Sequence, residues 1–179
     1  GSCTEVFTEL KEYYKQTSES DTTKISFYED TYSLYNLYRF AHYYEEAYGK
    51  YIWLKSGASL VIEHTEAMTV IDVNTGSVLK KKKQEDTLFY QINREAAKEI
   101  ARQLRLRNIS GIIMIDFINM KDTAQKEKLL SLLDSECKKD RVHCNVIDMT
   151  ALNLVEMTRS KVRKPLHEQI RSCMKNNRS

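Results

Sequence analysis

The sequence has one proline and five glycines in 179 residues, and no run approaching the roughly eighteen apolar residues that a membrane span needs. A bilayer-crossing helix is thereby disfavoured, and no charged segment followed by an apolar h-region opens the chain. The protein is expected to be cytoplasmic with no membrane partner. Cysteine pairs are lacking as well: Cys3, Cys137, Cys144 and Cys173 are scattered, with no C-x-x-C spacing. Neither a disulfide framework nor a zinc knuckle is indicated, and reduced, partly buried thiols are the expectation. Internal repeats and low-complexity segments are missing too. The net charge of +3 does not by itself point to nucleic acid. What is present, 41% hydrophobic and 30% charged residues, is the composition of a soluble globular protein. The length suffices for one sizeable domain, or one domain and part of another. Gly1-Ser2 reads as a remnant of tag removal, so the natural chain is expected to begin upstream.

Two apolar runs end in aspartate. In MTVIDVNTG, Met68 to Gly76, a strand would place Asp72 and Asn74 on one face with Val73 on the other, because side chains alternate along a strand. On these residues alone a strand running into a turn is the simpler explanation, since Asp, Asn, Thr and Gly are ordinary turn residues. In GIIMIDFINM, Gly111 to Met120, a second β-branched run delivers Asp116. If the two strands are neighbours in one sheet, their carboxylates form a site for a divalent cation.

Around these runs the spacing predicts a helix over TEVFTELKEYYKQ, a short strand at KISFYED, and a tyrosine-rich helix over YSLYNLYRFAHYYEEAYG ending at Gly49. The tyrosines suit helix packing with their hydroxyls at the rim, or a stacking platform for bases. KYIWLKSG and ASLVIEH read as strands, the second joined by TEA to MTVIDVN in a hairpin. Asn93 is expected to cap a helix over REAAKEIARQLRLR, with Ala97, Ile100, Ala101 and Leu104 as its apolar stripe and Lys98, Arg102 and Arg105 opposite. GIIMIDFI lacks alternation, which suggests burial on both faces. A helix over about Thr123 to Lys139 has Leu129, Leu132 and Leu133 inward, and HCNVIDM and LNLVEMT close the regular part as strands before Pro165. This order gives an α/β fold, a mixed sheet with flanking helices. Basic residues cluster at Lys80, Lys81, Lys82 and Lys83, and again at Arg159, Lys161, Arg163 and Lys164. Each cluster is either a solvated face or an RNA-facing element.

GASLVIEHTEAMTVIDVNTG, NREAAKEIARQLRLRNISGIIMIDFINM and LNLVEMTR, taken together and in this order, resemble the catalytic region of the ribonuclease E/G family from about Lys24 to Pro165. The resemblance implies a partial ribonuclease H-like segment over 1–55, a deoxyribonuclease I-like catalytic subdomain over 56–166 and a C-terminal tail over 167–179. It implies that Asp72 and Asp116 hold Mg²⁺ and that Asn74 orients the ligand. Lys80 to Lys83, which directly follow the site strand, and Arg159 and Lys161 of the second cluster are the cations expected along bound RNA if those clusters are not merely solvated. The implied activity is endonucleolytic hydrolysis of single-stranded RNA to 5′-phosphate and 3′-hydroxyl ends. Where members of the family often read DFIDM this chain has Asn119, so a third nearby carboxylate is missing. The family's OB-fold domain, its 5′-end pocket and its zinc-linking CPxCxG are not among these residues, although Cys173 alone corresponds to part of the last. A homo-oligomer is left open. The competing expectations are a non-catalytic RNA-binding or assembly module that retains the fold, and a fragment too short to cut efficiently. Joint retention of Asp72, Asn74 and Asp116 favours the enzyme over the module, which has no need of carboxylates that repel phosphate.

Overall fold

A computed structural model describes residues 3–17, 25–76 and 85–169. The chain forms two compact units, Gly1–Ala41 and His42–Ser179. In the first, helix α1 covers Cys3–Thr17 and the short helix α2 covers Leu34–Leu37, started by Ser33, whose hydroxyl accepts from the Tyr35 N–H at 3.2 Å. Over residues 25–30, the described part of KISFYED, the expected strand does not form. Residues 25–30 pair with no other strand among the described residues, and the Asp30 carboxylate accepts from the Tyr32 N–H at 3.1 Å, turning the chain instead. Within this unit Phe7 and Phe27 meet with ring centroids 5.2 Å apart.

The tyrosine-rich helix is broken. Tyr38 and Arg39 form a turn, Arg39 at φ 50°, before α3 resumes over Phe40–Tyr48. Tyr35 and Tyr38 meet Phe40 with ring centroids 6.0 and 6.2 Å apart, yet Tyr35, Tyr38 and Tyr43 are all more than half exposed.

The second unit is built on one six-stranded sheet with strands β1 (Tyr51–Trp53), β2 (Ser59–His64), β3 (Met68–Asn74), β4 (Gly111–Asp116), β5 (Cys144–Met149) and β6 (Leu154–Arg159), in the order β1-β2-β3-β4-β6-β5. All pairs are antiparallel except β3 with β4, joined in parallel through helix α4, Glu85–Leu106. The sheet thus begins ahead of residue 56, with β1 as an edge strand. Helix α5, Thr123–Cys137, starts at Asp122, whose carboxylate accepts from the Ala124 N–H at 2.9 Å.

One face of the sheet carries the core. Leu60, Ile62, Ile71, Val73, Ile113, Ile115, Val155 and Met157 alternate inward and meet Ile92, Ala96, Ala97, Ile100 and Leu104 of α4 with Leu129 and Leu133 of α5. Leu132 is only partly buried against them. The opposite face is the open one, so two-sided burial of β4 is not observed. Ile113 and Ile115 are fully buried, while Ile112 is 49% exposed and Met114 half-buried, because α4 and α5 cover a single face. At the end of α4, Asn108 takes a left-handed conformation (φ 48°), and the Ile109 N–H closes the last turn on the Leu104 carbonyl at 3.0 Å. This closure feeds the chain directly into β4. Among the described residues, no helix is long and apolar enough to cross a membrane.

Candidate metal centre

The parallel pairing of β3 and β4 sets Asp72 directly opposite Asp116. Paired residues in adjacent strands project to the same face and their backbones are about 4.8 Å apart. Ile71 and Val73 face the core, so Asp72 lies with Asn74 on the open face, and the same alternation puts Asp116 there beside Ile112 and Met114. The strand-end expectation from the sequence is met by this geometry. The Asn74 amide donates to Asp72 Oδ2 at 2.7 Å, which fixes the carboxylate's rotamer.

The two carboxylates feel one another. Partial burial, and then the charge of Asp72, push the Asp116 carboxyl above its ordinary pKa. A cation placed between them would remove that repulsion. Among the described residues no set of three or more His, Cys, Asp or Glu groups could hold a metal ion. The donor set is two hard carboxylate oxygens on a solvent-facing surface. This suits Mg²⁺, which is typically held by one or two carboxylates and keeps its other positions for water and substrate phosphate. Soft or histidine-preferring metals find no matching ligands here.

Asp116 is also held from behind, by a residue whose part the sequence reading missed. Asn93 does not cap a helix. Helix α4 starts two turns earlier, and Asn93 lies inside it, wholly buried. Its amide donates to the Ile118 carbonyl at 2.7 Å and accepts from the Ile118 N–H at 3.0 Å, which clamps the backbone two residues beyond Asp116. The earlier helix start was signalled by Leu88, Ile92 and Ala96, four residues apart on one face. On the β3 side, Gly76 has φ 57°, and a Cβ there would come within 2.6 Å of the Gly57 carbonyl oxygen. Only glycine lets the chain leave Asn74 along this path.

The basic residues separate. Arg159, expected along bound RNA, is instead buried: it shares the inward face of β6 with Val155 and Met157 and is 4% exposed. Its guanidinium bonds Asp140 Oδ2, Asn108 Oδ1 and the Ile109 carbonyl, each at 3.0 Å, so its positive charge serves the core. Strand alternation through Val155 and Met157 was the signal that could have placed it. Lys161 is exposed, with Glu168 4.0 Å away. Lys80 to Lys83 lie outside the described residues. A cleft of about 710 Å³, lined in part by His64, Arg107 and His167, includes none of Asp72, Asn74 and Asp116.

A model of the ribonuclease E/G family matches residues 2–162. The chain belongs to that family. It is 40% identical over 160 residues to a ribonuclease G of Haemophilus influenzae, covering 89% of this chain and 32% of that protein. It is 39% identical over 157 residues to ribonuclease G of Escherichia coli, covering 88% and 32%. With a ribonuclease E of Nostoc it shares 35% identity over 162 residues, covering 89% and 23%. The chain therefore spans about a third or less of the length of these relatives.

Proposed function

We propose that this ribonuclease E/G family chain is the catalytic segment of an endoribonuclease that hydrolyses single-stranded RNA with Mg²⁺ held by Asp72 and Asp116. Its products are 5′-phosphate and 3′-hydroxyl ends. The observation that carries the reading is the register of β3 and β4, which sets Asp72 opposite Asp116 on the open face of the sheet. The names of its relatives, ribonuclease G and ribonuclease E, support the reaction class. A bound Mg²⁺ supplies activation of a water and neutralisation of charge on the phosphoryl and leaving oxygens. The protein's part is positional. Asp72 and Asp116 present oxygens side by side, Asn74 holds the rotamer of Asp72, and Asn93 holds the backbone that follows Asp116. Outer partners of this kind set ligand orientation and hence affinity. Lys161, and the Lys80 to Lys83 segment, are the cations assigned to the RNA backbone.

A fluorescent single-stranded RNA tests this directly. The parent chain should cut it with Mg²⁺ and stop on chelation, and the products should be substrates for an exonuclease that requires a 5′-phosphate. Asp72→Asn and Asp116→Asn should each abolish cutting with circular dichroism and melting unchanged. A variant that cuts within threefold of the parent rate would overturn the metal assignment. A chain that binds RNA and never cuts it would return the reading to an RNA-binding module.

A further inference from the structure

We infer that Trp53 is a base-stacking residue, which holds a nucleobase of the single-stranded RNA beside the phosphate engaged at Asp72 and Asp116; the inference rests on the proposed function. In the sheet register Trp53 pairs with Ser59 and Ser59 with Asn74, while Tyr51 pairs with Val61, Val61 with Asp72 and Asp72 with Asp116. Paired residues share a face, so both aromatic rings belong to the same open face as the carboxylates. Two strand spacings, about 10 Å, separate Trp53 from Asn74. That is within reach of the nucleotides flanking a phosphate at the carboxylate pair.

The exposure of Trp53 is unusual for its place. It is 72% exposed between Ile52 at 7% and Leu54 at 8%, and Tyr51 on the neighbouring rung is 59% exposed. Single exposed apolar residues are ordinary on a protein surface. Here the two rings instead flank the proposed site along defined rungs of the sheet. The charge of that face supports the same reading. Glu156 joins Asp72 and Asp116 on it, so the surface repels phosphate wherever a cation does not intervene. Beside these carboxylates uncharged contacts add affinity that no phosphate contact can, and stacking on an aromatic ring is one that accepts every base. Trp53 also lines a shallow cleft at the sheet edge with Lys55, Lys98 and Arg105. Glu95 and Glu99 line it too, but the Glu95 carboxylate already accepts from the Lys55 and Ser56 N–H groups at 2.7 and 3.3 Å and Glu99 pairs with Arg102 at 2.8 Å. The cleft gives the RNA backbone a basic side along which to leave the site.

Trp53 is the single tryptophan of the chain, so its fluorescence reports on this position alone. The Asp72→Asn chain, which is expected not to cut, is titrated with a single-stranded oligoribonucleotide while anisotropy follows binding independently. Saturable quenching is expected, and a matching oligonucleotide made abasic throughout should give none. Trp53→Ala should weaken binding roughly 5- to 150-fold, the range of one lost base stack, and Trp53→Phe should recover most of it. In the cleaving chain the same Trp53→Ala change should raise KM and leave kcat within a few-fold. RNA bound to saturation without quenching, alanine binding within twofold of parent, or no RNA binding at all would each overturn the inference. Quenching by a chain that never cuts would keep it and sink the nuclease reading, whereas cutting without quenching would do the reverse.

Discussion

Replacing Asn93 by alanine removes both hydrogen bonds that hold Ile118, the 2.7 Å bond to its carbonyl and the 3.0 Å bond from its N–H. Each lost bond strands a backbone group, and an unsatisfied buried donor or acceptor costs about 1 to 3 kcal/mol. Ile118 is only half-buried, so water can reach part of this region and the lower half of that range applies to each group. The expected destabilisation is about 2 to 4 kcal/mol. At the ~2 to 4 °C per kcal/mol of a chain this size, the melting temperature should fall by roughly 4 to 16 °C. Asn93→Asp should be no milder, because it keeps an acceptor for the N–H but sets a carboxylate oxygen against the Ile118 carbonyl. The loss should also be felt at the metal. Asp116 is fixed by β3 and β6 on either side and by Asn93 through the backbone beyond it, so loosening that backbone should raise the Mg²⁺ concentration for half-maximal cleavage by about tenfold or more. Thermal melts and a Mg²⁺ titration of RNA cleavage read the two effects separately. A variant that melts within about 1 °C of parent and needs less than twofold more Mg²⁺ would refute the clamp.

Other perturbations test the surrounding framework. Burial acts to raise the Asp140 carboxyl, but the Val142 N–H and Arg159 outweigh it and hold the group below its ordinary pKa. A depressed carboxylate pKa contributes stability that is present above the ordinary Asp range, near 4, and is lost as pH falls through the lowered folded value. Asp140→Ala should therefore cost about 3 to 5 kcal/mol at neutral pH by leaving the buried Arg159 without its counter-charge, and melts at decreasing pH should show the gap from parent closing in acid. Gly76→Ala should lower the melting temperature, from about 1 to 2 kcal/mol for the left-handed backbone plus the clash at the Gly57 carbonyl, and should raise the Mg²⁺ requirement. An unshifted melt would show that the backbone there tolerates a side chain. Changing Lys80 to Lys83 all to alanine should weaken unrelated single-stranded RNAs alike and flatten the slope of log affinity against log salt by roughly 1 to 3 units. An unchanged slope and affinity would make that segment a solvated one.

The candidate site was legible in the sequence because its signals are local. Alternation fixes that Asp72 and Asn74 share a face wherever the strand sits, and a β-branched run bounded by Gly111 and Asp116 is a strand whatever covers it. The misread elements depended on information from elsewhere in the chain. A strand at KISFYED needed a neighbour to pair with and found none among the described residues. Asn93 has the chemistry of a helix cap, and its use inside a longer helix was decided by the Ile118 backbone 25 residues away. Arg159 sits in a basic run, yet its role was set by Asp140 and Asn108, which arrive from other elements to satisfy a buried guanidinium.

By itself the sequence determined the elements that carry chemistry, the family-specific segments and the faces on which the acidic residues point, since all of these follow from side-chain period and residue type over a few positions. The tertiary structure decided the register. A shift of one residue between β3 and β4 would have turned Asp116 to the core face relative to Asp72, and only the β3-α4-β4 crossover, packed through Ile92, Ala96 and Ile100 and closed at Asn108, sets the two aspartates on one rung. The same packing left the other face of the sheet open, which makes a pair of strand-end carboxylates and an edge tryptophan into parts of one surface.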